Sequence, residues 1–245
     1  MSSSSIETKE KLPGTFITFE GGDGAGKSTH IAFLAYCLRQ AGHEVLSLRE
    51  PGGTQVGEDL RTIVLNPDYE SIADTTELLM YEAARAQIVA EVIRPALSRG
   101  ATVLCDRFYD STVAYQGYGR GLSLDFIAQA NQFACGGVQP DRTILMISES
   151  AQDGLERATD DGADRLERAG LDFHERVNQA FLTIAAEDPE RVRLVYFQEK
   201  KTDTARAVFD QISDLFPDMK AAAENDPAFF ERAEHKELYK PKANV

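Results

Sequence analysis

Gly21-Gly22-Asp23-Gly24-Ala25-Gly26-Lys27-Ser28 has the residue types and spacing of a phosphate cradle, G-x-x-x-x-G-K-[ST]. Glycines let consecutive backbone N–H groups converge on phosphate oxygens, and a helix that starts at the lysine adds positive potential from its N-terminus. Lys27 then reaches the β and γ phosphates of a nucleoside triphosphate, and Ser28 offers a hydroxyl to Mg²⁺. Gly21 to Thr29 are therefore the candidate triphosphate-binding residues, with Lys27 also a catalytic candidate. The plain alternative is a glycine-rich turn with a chance lysine. An apolar run before the motif and a helical pattern after it argue against that alternative. The cradle alone does not separate kinases from ATPases or GTPase switches, which share it. An Asn-Lys-x-Asp guanine reader would mark a GTPase, and the nearest segment, Lys200-Lys201-Thr202-Asp203, lacks the asparagine.

A second set of residues could hold an anionic acceptor. Arg49-Glu50-Pro51-Gly52-Gly53-Thr54 and Cys105-Asp106-Arg107-Phe108-Tyr109 each follow an apolar run, and Ala114-Tyr115-Gln116-Gly117 and Gly119-Arg120-Gly121 come next. Tyr81 and Arg85 lie four apart, on one face of a helix. Singly, such residues are more often core tyrosines and solvated arginines. Together they fall where the carboxyl ends of parallel strands make a ligand crevice. The chemistry fits an arginine-rich site without a general base. A phosphate monoester has its second pKa near 6 and is already largely anionic at neutral pH, so the obstacle is repulsion between two polyanions. The four histidines, His30, His43, His174 and His235, are assigned no chemistry.

Positioning these residues requires alternating strands and helices. Val-, Ile- and Leu-rich runs at Thr15 to Glu20, Val45 to Leu48, Ala101 to Cys105, Thr143 to Ile147 and Val192 to Phe197 predict five buried strands. Helical patterns cover Lys27 to Gln40, Thr76 to Leu97, Ser123 to Ala134, Leu171 to Ala186 and Asp203 to Phe216. The expected fold is α/β: a five-stranded parallel sheet with helices on both faces, of P-loop NTPase type. Met1 to Leu12 is expected to be a loose tail ahead of a domain spanning 14–217. Residues 218–245, with Pro227 and Pro241 and no periodic apolar face, are expected to be a surface appendage or, less simply, a partner-binding tail.

Of the 245 residues, Lys and Arg number 26 against 40 Asp and Glu, a formal charge of −14. That balance argues against a general nucleic-acid or anionic-membrane binder and requires a local cationic cluster for any anionic ligand. Cys37, Cys105 and Cys135 have no metal-site spacing and fit reduced thiols in a cytoplasmic protein. No apolar run is long enough to span a membrane.

Phe-Glu-Gly-Gly-Asp-Gly-Ala-Gly-Lys-Ser, Arg-Glu-Pro-Gly-Gly-Thr, Ala-Ala-Arg, Asp-Arg-Phe and Ala-Tyr-Gln-Gly, in this order between about Thr15 and Phe216, resemble the thymidylate kinase family. The resemblance implies a nucleoside monophosphate kinase fold with a short lid, transfer of the γ-phosphoryl group of ATP to dTMP with Mg²⁺ on the path to dTTP, and a homodimer. It implies that Arg49 and Arg107 grip the dTMP phosphate and that Asp23 approaches the sugar 3′-hydroxyl. Tyr81 would stack on thymine, Arg85 would bond a thymine carbonyl, and Gln116 would lie near the base edge. Ser28 and Asp106 are the Mg²⁺ candidates. The lid would lie at about 155–168, with Arg157 and Arg165 as catalytic arginines beside Lys27 and Arg107, and Arg168 as a spare. Asp160 and Asp161 stand where relatives of this kind carry basic residues. A nucleotide-dependent switch is the competing class, and a kinase for another nucleotide the competing enzyme.

Overall fold

The computed structural model describes residues 11–147 and 164–235. Most of the expected N-terminal tail, the lid centre with Arg157, Asp160 and Asp161, and the last ten residues lie outside them.

The apolar runs form β1 (Thr15–Glu20), β2 (Val45–Arg49), β3 (Thr102–Asp106), β4 (Arg142–Ile147) and β5 (Val192–Tyr196), each within one residue of its expected bounds. All pair in parallel in the order β2-β3-β1-β4-β5. The three central strands are buried almost continuously, as a sheet covered on both faces requires. Successive residues face opposite layers. Ile17, Phe19 and Leu104 join one cluster, whereas Phe16, Val103 and Cys105 join the other.

On the first face lies α1 (Lys27–Gln40), which buries Ile31, Phe33, Leu34, Ala35, Cys37 and Leu38. The helix expected from Thr76 to Leu97 is α3 (Asp74–Ile88), which passes through a π-helical turn, Val89–Ile93, into α4 (Arg94–Ser98). Beyond it come α6 (Leu124–Cys135), α7 (Leu171–Glu187) and α8 (Lys201–Asp210). Two helical segments were not expected. The first, α2 (Gln55–Val64), is capped by Thr54, whose Oγ1 accepts from Gly57 N at 3.0 Å. The second, α5 (Tyr109–Thr112), runs into a π-helical stretch, Val113–Gly119.

The C-terminal segment corrects the expectation of a surface appendage. Its helix α9 (Pro217–Asn225) and a 3₁₀ turn, Phe230–Glu234, bury Met219, Phe229, Phe230 and Ala233 in the same cluster as α1. Phe229 packs edge-on against Phe33 at 6.0 Å, and Phe230 against Phe209 at 5.5 Å. Arg206 lies over the Phe230 ring at 4.2 Å, and His43 Nε2 meets Asp218 at 2.9 Å. The anchors are few and irregularly spaced, so they leave no helical period to detect.

Removing a fully packed phenyl ring leaves a cavity as well as losing transfer free energy. Phe230→Ala is expected to cost about 3–5 kcal/mol, read as a drop in the urea midpoint at constant slope. A loss below about 0.5 kcal/mol, the usual scale for surface sites, would return the segment to the status of an appendage.

Candidate active site

β1 ends at Glu20, and the loop that follows turns immediately. Gly21 has φ of +123°, and a Cβ there would stand 2.0 Å from the Met146 carbonyl oxygen, so only glycine lets the chain pass this close to β4. Gly26, also at positive φ, delivers the chain into α1. Lys27 Nζ bends back to donate to Gly21 O at 3.1 Å and Gly22 O at 2.8 Å. Burial and the neighbouring Arg107 lower its pKa, against the pull of Asp106, Asp23 and Glu20. Ser28 Oγ donates to Asp106 Oδ2 at 2.8 Å, so the two expected metal residues meet across the loop and the end of β3. A hydroxyl and a carboxylate are hard oxygen donors of the kind Mg²⁺ takes, with waters and phosphates completing its shell. Among the described residues no group of three or more His, Cys, Asp or Glu could hold a metal.

Arg107 stands next, at the end of β3, with φ of +67°, in the left-handed region where a non-glycine residue is strained. The strain is held from several sides. Arg107 N donates to Phe19 O at 2.8 Å. Its Nη1 donates to Gly21 O at 3.0 Å and Ser111 Oγ at 3.2 Å, and its Nη2 to Asp23 Oδ1 at 2.5 Å. Glu20, fully buried, takes Phe108 N at 2.7 Å and Ser111 Oγ at 2.5 Å, which fixes the turn carrying Arg107. Burial would raise the pKa of Asp23, but Arg107 and Lys27 overcome it and hold the carboxyl down at about 2.

Two clefts meet at this arginine. One is the triphosphate loop, Asp23 through Thr29, bounded by Arg49, Glu50, Arg61, Asp106 and Arg107. The other is a cavity of about 150 Å³ among Tyr81, Arg85, Tyr115, Gln116, Phe108 and Leu65. Asp23, Glu50, Arg61 and Arg107 line both. Arg49 Nη2 pairs with Glu58 Oε2 at 2.8 Å, and Glu58 Oε1 takes Gly53 N at 2.7 Å. Glu58 and Arg61 both come from α2, so missing that helix meant missing both. The signal was present in the Thr54 cap and in Val56, Leu60, Ile63 and Val64 at helical spacing. Arg85 is buried, with Nε on Glu50 Oε2 at 2.8 Å and Nη1 on Glu82 Oε1 at 2.8 Å and Asn131 Oδ1 at 2.9 Å.

Arg165 lies elsewhere than expected. Its Nε donates to Val64 O at 2.8 Å and its Nη2 to Glu77, and it lines neither cleft. The physical reason is Glu77, a fully buried carboxylate that gathers any cation in reach. Arg157 lies outside the described residues.

A parallel sheet with a glycine-rich loop at its first strand, and a second cleft sharing an arginine with that loop, defines a P-loop phosphotransferase that brings two phosphate-bearing ligands together. Comparison with known proteins makes this specific. The sequence profile of the family described as Thymidylate kinase matches residues 19–208. The chain is 54% identical to a thymidylate kinase of Pseudomonas fluorescens over 181 residues, 74% of this chain and 86% of that one. It is 47% identical to that of Geobacter sulfurreducens over 211 residues, 83% of this chain and 99% of that one. The crystal structure of thymidylate kinase from Ehrlichia chaffeensis superposes with a TM-score of 0.67 at 32% identity, covering 82% of this chain and 98% of that one. The chain belongs to the thymidylate kinase family, and the reaction that defines it is phosphorylation of dTMP to dTDP.

Arg85 cannot neutralise two buried carboxylates at once. Burial pushes Glu50 up to about 7, with Arg85 pulling it down and Glu82 pushing it further up. The folded carboxyl thus holds its proton more tightly than the unfolded one. Its contribution to stability is full below about pH 4.5 and is lost as pH rises through 7. In ligand-free protein, wild type is expected to lose stability relative to Glu50→Gln across that window, at no more than about 1.4 kcal/mol per pH unit. Parallel pH–stability curves for the two proteins would exclude a shifted Glu50.

Proposed function

We propose that dTMP occupies the cleft around Tyr81 and ATP the loop around Lys27, so that the acceptor phosphate and the γ-phosphate meet at Arg107. The observation that carries this is the sharing of Asp23, Arg107 and Arg61 by the two clefts. Arg49 and Arg107 grip the dTMP phosphate, and Arg61 adds a third cation at the same boundary. Asp23, ionised at neutral pH, accepts from the sugar 3′-hydroxyl while holding Arg107 in place. Tyr81 stacks on the base, and Arg85 and Gln116 read its edge.

The acceptor oxygen is already anionic, so no residue has to remove its proton. Catalysis consists of holding two polyanions in line and supplying positive charge where it develops in the transition state. Lys27 leaves its two loop carbonyls for the β and γ phosphates, and Arg107 spans the gap between ligands. Mg²⁺, held through Ser28 and Asp106, would neutralise the β and γ oxygens of ATP. Arg157 is the remaining candidate for closing the charge over the γ-phosphate. Transfer is direct, without a covalent enzyme intermediate. The three cysteines are free and buried, which suits a reducing, cytoplasmic setting. Among the described residues no helix is long and apolar enough to cross a membrane.

A second copy of the chain suits the outer faces of α2, α3 and α6. Val56 and Ile63 on α2, Leu79 on α3, and Phe126 and Phe133 on α6 are all exposed, Phe133 by 89%. Apolar residues repeated on three neighbouring helices are the composition of a buried interface core. We propose that this face closes a homodimer.

Arg107→Ala is expected to lower kcat for dTMP by about a hundredfold or more, while the lysine variant recovers only part because it lacks the rigid planar fork that spans Gly21 O and Asp23. An unchanged kcat would remove Arg107 from the reaction. Among dTMP, dUMP, dCMP and dGMP, dTMP should give the highest kcat/KM. Phe133→Glu is expected to shift sedimentation equilibrium from dimer to monomer, and a monomeric wild type would reject the interface.

A further inference from the structure

Glu77, on α3, is fully buried one helical turn before Tyr81 and lines neither cleft. Its Oε1 takes Gln116 Nε2 at 2.8 Å and Arg120 Nε at 3.3 Å. Its Oε2 takes Arg120 Nη2 at 3.1 Å and also Arg165 Nη2. Burial would raise its pKa, but Gln116, Arg120 and Arg165 together lower it, so the group is a carboxylate and can only accept. An amide has one donating and one accepting end. With Nε2 turned to Glu77, the end of Gln116 left for the cleft is Oε1, which takes no hydrogen bond among the described residues. Arg85, also lining the cleft, spends Nε and Nη1 on Glu50, Glu82 and Asn131 and leaves Nη2, a donor.

We infer that Glu77 is a specificity-determining positioning residue: by fixing the direction of the Gln116 amide, it makes the cleft present an acceptor beside the Arg85 donor. A pyrimidine with a carbonyl at C4 and N–H at N3 satisfies both. A 4-amino pyrimidine offers a donor at C4 and an acceptor at N3, the reverse at each position. Without the carboxylate, the Gln116 amide could turn over and accommodate the 4-amino base at N3. A site that hydrogen-bonds its ligand rejects a mismatched one because the buried groups are left unpaired.

The inference rests on the cleft being the base site, and the test separates the two. kcat/KM is measured for dTMP and dCMP in wild type, Gln116→Leu, Glu77→Gln and Glu77→Asp. The aspartate variant keeps a charge for the two long arginines while withdrawing the acceptor from Gln116, and serves if the glutamine variant does not fold. The dTMP/dCMP ratio is expected to fall at least about tenfold in Gln116→Leu and in the Glu77 variants, with KM for ATP little changed. General loosening of the fold would lower both substrates together and leave the ratio intact. A ratio that collapses in Gln116→Leu but holds in the folded Glu77 variants overturns the role of Glu77 and spares the base site. A ratio unchanged in Gln116→Leu overturns both.

Discussion

The contact on which the site depends is the clasp between Arg107 and the phosphate loop. Parallel pairing of β1 with β3 places Phe19 opposite Asp106, so the last residues of the two strands emerge side by side. Arg107 follows at once, and its unfavourable backbone turns the guanidinium across the sheet end onto Gly21 O and Asp23 rather than along the strand. An extended backbone there would send the side chain to one face of the sheet and leave Arg61 to serve both clefts. Glu20 closes the arrangement from below through Phe108 N and Ser111. Strain of this kind persists only where surrounding structure over-determines it, and here hydrogen bonds from three directions do so.

That clasp also explains how a chain of net charge −14 handles two polyanions. The acidity is not spread at random with respect to the site. Arg85 meets Glu50 and Glu82, Arg107 meets Asp23, and Arg165 meets Glu77. Each pairing fixes an arginine in one geometry before any ligand arrives, which is what electrostatic preorganisation requires. Buried pairs of this sort add little net stability after desolvation. What they contribute is orientation.

The strands were legible because a doubly covered parallel sheet writes itself as short unbroken apolar runs, and the loop because its chemistry permits few substitutions. Tyr81, Arg85 and Gln116 could be placed near one pocket from their positions along α3 and after β3, whereas Arg49 lines the loop cleft. What was not legible follows from the limits of periodicity. α2 is short and begins inside a glycine-rich turn, so Glu58 and Arg61 went unnoticed. Phe229 and Phe230 are a pair without a period. Arg165 has the right residue type at the right distance from β4, but which carboxylate captures it is a matter of three-dimensional packing. Glu77 could not have been singled out, because a glutamate in the first turn of a helix is ordinarily a solvated one favoured by the helix dipole.

The arginines divide into two kinds by how firmly they are held. Arg49 and Glu58 are both more than 40% exposed, and an ion pair in that setting is worth about 0–1 kcal/mol. A phosphate can take Arg49 from Glu58 at almost no cost, which suits a contact that supplies affinity and must be made and broken every turnover. Arg85 and Glu50 are almost wholly buried, and separating them would strand a charge in the interior. No ligand of modest affinity displaces that pair, so a base can use only the nitrogen it leaves over. On the proposed placement, a phosphate at Arg49 meets a cation that can change partners, whereas a base at Arg85 meets a group whose direction is already set. Exposure, not residue type, decides which arginine can move.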